Sequence, residues 1–286
     1  MRTVIITGAN SGLGFETAKK IAKNLEYQVI LSCRNLEKAE NAKQIIIKET
    51  GNQNIKVMKI DTSSLASVRA FADEFLSLNE KIDVLINNAG ISPMAASGLT
   101  DEGFEVVFAT NYLGHFLLTQ LLLPTFKDTA RIINITSDMH NPPGGGISWP
   151  GSDYLAHPQE DDRRKYSYSK LCMIYFSHKL DRVLKEKNKH IIVNSFNPGF
   201  MADTNFSKGG KAREAMIKIS MPDRFGKLET SSSALADVAT LDELKDISGA
   251  YFDRSTKTIR SSELSYNQDN EEELWQKSLE FVGLAK

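Results

Sequence analysis

A tyrosine and a lysine stand four residues apart in the stretch Tyr166-Ser167-Tyr168-Ser169-Lys170. On a helix that spacing places both side chains on one face, one turn from each other. The residues that follow predict such a helix, because Leu171, Ile174, Tyr175 and His178 recur at helical spacing. An ammonium beside the phenol favours phenolate and is expected to lower the Tyr166 pKa from its usual value of about 10. A tyrosine tuned in this way can exchange a proton with a substrate oxygen near neutral pH. The pair alone is weak evidence, since Tyr and Lys four apart occur on many solvated helix faces. Its context decides.

The pair must be positioned by other elements. Val4-Ile5-Ile6-Thr7 reads as a buried strand, followed by the turn Gly8-Ala9-Asn10-Ser11-Gly12-Leu13-Gly14 and a helix striped by Ala18, Ile21, Ala22 and Leu25. Strand, glycine-rich turn and helix form the arrangement that a dinucleotide pyrophosphate needs: backbone that approaches closely, and a helix N-terminus with free N–H groups. A second strand, Gln28 to Ser32, ends at Cys33-Arg34 with no acid to hold a ribose 2′-hydroxyl. Arg34 can instead pair with a 2′-phosphate through two hydrogen bonds, which predicts NADP(H) over NAD(H). Lys38 offers a second positive charge.

A third strand, Ile55 to Ile60, ends at Asp61, placed to cap the next helix or to bind adenine. A fourth, Val84 to Ile86, runs into Asn87-Asn88-Ala89-Gly90, whose amides suit contacts with a ribose. Phe104 to Leu123 is an apolar helical stretch with Asn111 near its middle, and a buried Asn needs a partner, either backbone or a water chain. Arg131 to Ser137 is the fifth strand. Ligands of open α/β sheets sit at the carboxyl ends of the strands, so Ser137 is placed to bond a substrate oxygen beside Tyr166, with Thr136 as the rival hydroxyl. A sixth strand, His190 to Phe196, leads into Pro198-Gly199, and a seventh spans Gly249 to Phe252. This order predicts one α/β domain over residues 1–286, a Rossmann-type doubly wound sheet of about seven parallel strands with helices on both faces. Residues 138–165 form a long insertion before the Tyr166 helix, with Ile147, Trp149, Tyr154 and Leu155 expected to wall a pocket. Residues 200–225 read as a flap over the site.

Composition narrows the partners. The chain has 286 residues, 41% hydrophobic and 25% charged, with a net charge of −1, which suits a large core and gives no reason to expect nucleic acid. Two cysteines, Cys33 and Cys172, fit a reduced, cytoplasmic protein. The N-terminus enters a strand without a leader pattern, and no stretch reads as the roughly 20 apolar residues of a membrane span. No metal site is expected.

Together these pieces resemble the short-chain dehydrogenase/reductase family over nearly the whole chain. Thr7 to Gly14 resembles its T-G-x-x-x-G-x-G turn, Asn87 to Gly90 its N-N-A-G, and Pro198-Gly199 its P-G. Asn111, Ser137, Tyr166 and Lys170 fall where the family's catalytic tetrad falls. Ser32 to Asn35, the insertion, Ser169 to Cys172 and the C-terminal segment with Trp275 are similar to the retinol dehydrogenase and protochlorophyllide oxidoreductase branch, which is typically NADP-linked. Phe200 stands where the light-driven enzymes carry a cysteine.

The resemblance implies a cofactor site at Gly8, Asn10, Ser11, Gly12, Leu13, Gly14, Arg34, Asp61, Asn88, Ala89, Gly90, Tyr166, Lys170, Pro198 and Gly199. It implies hydride transfer between NADP(H) and a carbonyl or alcohol, apolar by the residues around the site. Tyr166 would be the acid/base, Ser137 would orient the oxygen, Lys170 would tune the tyrosine and hold the ribose, and Asn111 would anchor a water. Reduction of a conjugated C=C bond uses the same donors. A non-catalytic, cofactor-sensing protein would be expected to have lost one of Ser137, Tyr166 or Lys170, and all are kept. The helices bearing Asn111 and Tyr166 form subunit interfaces in many relatives, which admits a homodimer.

Overall fold

Alternation along the strands sets the architecture. In a computed structural model, which describes residues 1–92, 96–201, 219 and 221–285, eight strands form one sheet. They are β1 (Arg2–Thr7), β2 (Tyr27–Cys33), β3 (Ile55–Lys59), β4 (Ile82–Asn87), β5 (Phe126–Ile135), β6 (Ile192–Asn197), β7 (Tyr251–Asp253) and β8 (Thr258–Ile259), in the order β3-β2-β1-β4-β5-β6-β7-β8. Strands β1 to β7 run parallel. The two-residue β8 returns antiparallel on β7, an edge that the sequence reading did not anticipate.

Successive side chains of a strand point to opposite faces. Ile5, Ile30, Leu85 and Ile132 therefore enter one core, while Val4, Ile6, Val29, Leu31, Val84, Ile86 and Ile133 enter the other. A sheet buried on both sides reads as continuous apolar runs, which is why the strands were legible. Helices α1 (Gly12–Ala22) and α2 (Leu36–Thr50) cover the second face. The first face receives α3 (Leu65–Ser77), α4 (Val106–Phe108), a π turn at Ala109–Leu113, and α5 (Gly114–Leu122). After the short α6 (Ser152–Ala156), α7 (Lys165–Glu186) joins that face, α8 (Leu228–Thr240) joins the second, and α9 (Gln268–Phe281) closes the chain on the first.

The run Val106–Thr125 corrects one expectation. It is 20 residues long and apolar enough to cross a bilayer, because Asn111, His115 and Gln120 interrupt it without adding charge. In this fold 78% of its most apolar window is buried inside the protein.

Helix α7 is buried on nearly every side, because α9 packs over it. Trp275 of α9 meets Phe116 edge-on at 5.3 Å, and Tyr112 Oη lies 2.6 Å from Ser278 Oγ. Glu273 of the same helix clamps the insertion, accepting from Trp149 Nε1 (2.8 Å), Ser152 N (2.9 Å) and Ser152 Oγ (3.0 Å). Leu155 thus enters the core, and Ile147, Trp149 and Tyr154 pack against it while only partly buried. Among the described residues, most of α5 and α7 is buried inside the chain.

If α9 is part of the core, Trp275→Ala should lower stability by about 3–5 kcal/mol, the usual cost of deleting a buried large aromatic side chain. Urea unfolding of the purified protein measures it, and a loss below about 1 kcal/mol would mean that α9 is peripheral.

Candidate active site

The sheet order reverses between β1 and β4. From β1 the chain departs to α1 on one face, and from β4 it departs to α4 and α5 on the other. The two departures open a crevice at the carboxyl ends of the strands, the usual ligand position in such sheets. The turn after β1 lies in this crevice. Gly8 and Gly12 have positive φ (67° and 56°), open to glycine at little cost. A Cβ on Gly14 would stand 2.6 Å from Asn88 Nδ2 and 2.7 Å from the Gly8 carbonyl, so no side chain fits there. Ser11 occupies the N-cap position of α1 without a side-chain cap bond, and the first N–H groups of the helix have no intrahelical acceptor. A tight glycine turn under an uncapped helix N-terminus fits a dinucleotide pyrophosphate. Leu13 contributes only backbone there, since its side chain enters the core.

The side-chain N–H groups at the end of β4 face inward. Asn87 Nδ2 donates to Thr119 Oγ1 (3.1 Å) and Asn134 Oδ1 (2.8 Å). Asn88 Nδ2 donates to the Thr7 carbonyl (2.7 Å), so Asn88 braces the glycine turn. The backbone N–H groups of Asn88 and Ala89 both donate to Thr7 Oγ1, each at 2.9 Å. Parallel pairing of β1 with β4 brings these ends together. Gly90 lies beside the remaining site: a Cβ there would be 3.2 Å from Asn111 Oδ1 and 3.7 Å from Lys170 Nζ.

At the end of β2, Cys33 is buried and its thiol accepts from the backbone of Ala9 and Asn10, while burial pushes its pKa up to about 11. Arg34 is 75% exposed, with Asp61 Oδ2 at 3.9 Å. Asp61 does not cap α3, a role taken by Ser64; its carboxylate accepts from Ser63 N (3.0 Å) and Ser63 Oγ (2.6 Å) instead. Pro198 and Gly199 follow β6, where the Pro198 carbonyl accepts from Ser231 Oγ (2.7 Å). The flap ends meet through Phe200 N donating to the Arg224 carbonyl (2.8 Å); the rest of the flap, residues 202–218 and 220, lies outside the described residues.

Asn111, Ser137, Tyr166 and Lys170 converge. Lys170 Nζ donates to the Ile135 carbonyl (3.1 Å) and sits 5.6 Å from the centre of the Tyr166 ring. Tyr166, half-buried, is hydrogen-bonded to Ser137. Thr136 is excluded as the rival hydroxyl, because it is buried and donates to the Lys170 carbonyl (2.8 Å). Asn111 sits in the π turn, with Oδ1 accepting from Ile91 N (2.8 Å) and Nδ2 donating to the Ile91 carbonyl (3.1 Å) and Ser169 Oγ (3.1 Å). Both its amide protons are used by protein, so it joins the end of the β4 loop to α7 rather than offering them to a water.

Burial governs the electrostatics. It pushes the Tyr166 phenol well above its ordinary pKa; the Ser137 hydrogen bond offsets part of this, and the Asp138 carboxylate adds to the upward push. The sequence expectation of a phenol lowered by Lys170 is corrected here, because the ammonium lies over the ring face and is drawn to Ile135. Burial also brings Lys170 down to about 8.

Comparison with known proteins fits this geometry. A family model described as short chain dehydrogenase matches residues 2–149. Retinol dehydrogenase 13 of Mus musculus is 35% identical over 290 residues, covering 99% of this chain and 84% of that protein. The chain belongs to the short-chain dehydrogenase family. Among solved structures, an uncharacterised protein from Mycobacterium paratuberculosis superposes with a TM-score of 0.74 at 29% identity, over 100% of this chain and 94% of the other. The 3-ketoacyl-(acyl-carrier-protein) reductase from Brucella melitensis, complexed with NADH, superposes with a TM-score of 0.66 at 25% identity, over 88% of this chain and 96% of the other. The protein is a hydride-transferring oxidoreductase of the retinol dehydrogenase branch that uses a nicotinamide dinucleotide.

Sequence reasoning missed two buried histidines. His140 follows Ser137 by one turn. His115 lies one turn beyond Asn111, with Nε2 at 2.9 Å from Thr7 Oγ1 and Nδ1 at 3.2 Å from the Asn111 carbonyl. The Asn-to-His spacing of four was the available signal. A carbonyl only accepts, so Nδ1 carries the proton and Nε2 accepts from Thr7. Burial lowers the His115 pKa to about 4, so the folded protein holds it neutral while an unfolded chain would protonate it near 6.5. Its contribution is therefore complete above about pH 6.5 and is lost as pH falls towards 4, on the order of 3 kcal/mol. Urea midpoints should fall over this window, and His115→Gln should flatten the slope; an unchanged slope would place the effect on other groups.

Proposed function

We propose that this chain is an NADP(H)-dependent enzyme that interconverts an apolar carbonyl compound and its alcohol, with Tyr166 as general acid and base. The observation that carries the reading is the Ser137–Tyr166 hydrogen bond beside Lys170, at the strand ends that hold the glycine turn. The name of retinol dehydrogenase 13 supports an apolar alcohol or aldehyde as substrate. Bound reduced nicotinamide would supply the hydride to the carbonyl carbon.

The protein's own share is positional and acid–base. Ser137 Oγ bonds the substrate oxygen and holds it against Tyr166. As charge develops on that oxygen, Tyr166 gives it the phenol proton. A phenol whose pKa is raised keeps that proton until the oxygen is more basic than itself, which suits donation in the reductive direction. Lys170, still an ammonium below about pH 8, offsets the phenolate left behind. Arg34 stands exposed where it could pair with a 2′-phosphate.

Three outcomes are expected with NADPH and a panel of apolar aldehydes that includes all-trans-retinal. Tyr166→Phe loses turnover by about 10²- to 10⁴-fold while still binding NADPH, as read by cofactor fluorescence. Near wild-type turnover in that variant would remove Tyr166 from the mechanism. Arg34→Ala weakens NADPH binding about tenfold or more and leaves NADH binding unchanged; equal losses for both would sink the phosphate role. The kcat/KM for reduction falls as pH rises through about 8, where Lys170 loses its proton in the free enzyme.

A further inference from the structure

His140 ends the short 3-10 turn Asp138–His140 that follows Ser137, and it is buried. Its Nδ1 lies 2.6 Å from the Ser137 carbonyl, and its Nε2 is 3.1 Å from the backbone nitrogen of Ser262. A carbonyl can only accept and an amide N–H can only donate. The ring is therefore neutral, with its proton on Nδ1. Its face packs on Tyr251 of β7, with ring centres 5.5 Å apart.

The far side of this contact leads back to the catalytic helix. Ser262 opens the turn Glu263–Tyr266, which α7 holds at two points. Tyr175 Oη donates to the Leu264 carbonyl (2.8 Å), and His178 Nδ1 lies 3.2 Å from the Ser265 carbonyl. One path thus runs from α7 through Ser262 and His140 to Ser137. The other is the direct bond between Ser137 and Tyr166. The two close a ring of contacts around the reacting groups.

Ser137 needs such support. Its Oγ accepts from Met139 N (3.1 Å) and lies 3.3 Å from Asp138 Oδ1, so the hydroxyl has a competing partner on its own turn. We propose that His140 is a positioning residue: by adding a ring donor to the Ser137 carbonyl, which already accepts from the His140 backbone N–H (3.0 Å), it fixes the 137–138 peptide and so keeps the Ser137 hydroxyl aimed at Tyr166 and the substrate oxygen. This rests on the reading of Ser137 as a member of the active site.

Protonation would put a second donor against the Ser262 N–H and break the path. The groups facing the ring are Arg224 from the end of the flap, itself 3.9 Å from Asp138 on the ring's own turn, Tyr251 from β7, and Ser262. Burial lowers the His140 pKa, the Ser137 carbonyl opposes this, and Arg224 adds to the lowering, so the neutral ring persists below the ordinary histidine range.

Two conservative variants separate the two bonds. Asparagine places an N–H where Nδ1 stands and retains donation to Ser137; glutamine places an oxygen where Nε2 stands and retains acceptance from Ser262. With NADPH and the aldehyde of the panel that wild type reduces fastest, His140→Ala and His140→Gln should lower kcat about tenfold to a hundredfold, the cost of a small misplacement of a reacting group. NADPH affinity should be unchanged, and His140→Asn should recover most of the loss. Nitrogen NMR of the full-length protein labelled at histidine should find the Nδ1–H form of His140. An Nε2–H form, or equal kcat in wild type, His140→Ala and His140→Gln, overturns the proposal. Full turnover in Ser137→Ala would instead overturn the underlying reading of the site, whatever the His140 variants do.

Discussion

The site depends on how one hydroxyl, that of Thr7, satisfies the ends of two neighbouring strands. At the reversal of strand order, β1 and β4 finish side by side and their chains depart to opposite faces, leaving backbone N–H groups with no ladder partner. Buried amides of this kind must find acceptors. Thr7 Oγ1 accepts from both Asn88 and Ala89, and its own proton lies between His115 Nε2 (2.9 Å) and the more distant Ile86 carbonyl (3.4 Å). One donor and two acceptors are thereby all used. His115 in turn donates to the Asn111 carbonyl within the π turn, so the glycine turn, the β4 loop and the helix bearing Asn111 hold one relative position. A π turn inserted in an α-helix disturbs the carbonyl ladder, and a side-chain donor at that point offsets the disturbance.

Burial then does two opposite things to the groups so placed. It favours the neutral form of both Tyr166 and Lys170, raising one pKa and lowering the other towards about 8. In the proposed mechanism this is an advantage only if the two act as a pair. Burial alone would make the phenol a reluctant acid, because it disfavours the phenolate. With an ammonium over the ring, the charge that leaves the phenol with its proton is replaced by an ion pair. Below pH 8 the site therefore begins with one positive charge and ends neutral, apart from the substrate and cofactor.

The parallel strands and the glycine turn were legible in the sequence, since a sheet buried on both faces demands unbroken apolar runs and the turn demands glycine. The direction of side chains beyond the strand ends was not. Asn87 and Asn88 read as ligand contacts because polar residues at strand ends commonly are; that their side-chain N–H groups also brace β5 and the glycine turn is a product of strand pairing. Trp149 and Leu155 read as pocket wall because they are apolar residues in a loop; the contacts of this segment with α9 and Glu273, more than a hundred residues away in the chain, were not legible. The tyrosine pKa failed for a similar reason. Spacing placed Lys170 near the ring, but burial was a tertiary property, and it outweighed the charge.

The end of β2 shows how one residue type can bear on cofactor choice twice. A carboxylate there would hold a ribose hydroxyl and repel a phosphate. Cys33 offers no charge, because burial keeps its thiol protonated, and the sulfur is already engaged by the Ala9 and Asn10 backbone. That engagement draws the glycine turn down onto β2. The small thiol thus supports the proposed NADP(H) preference both by leaving the field to Arg34 and by helping to seat the turn on which the pyrophosphate would rest.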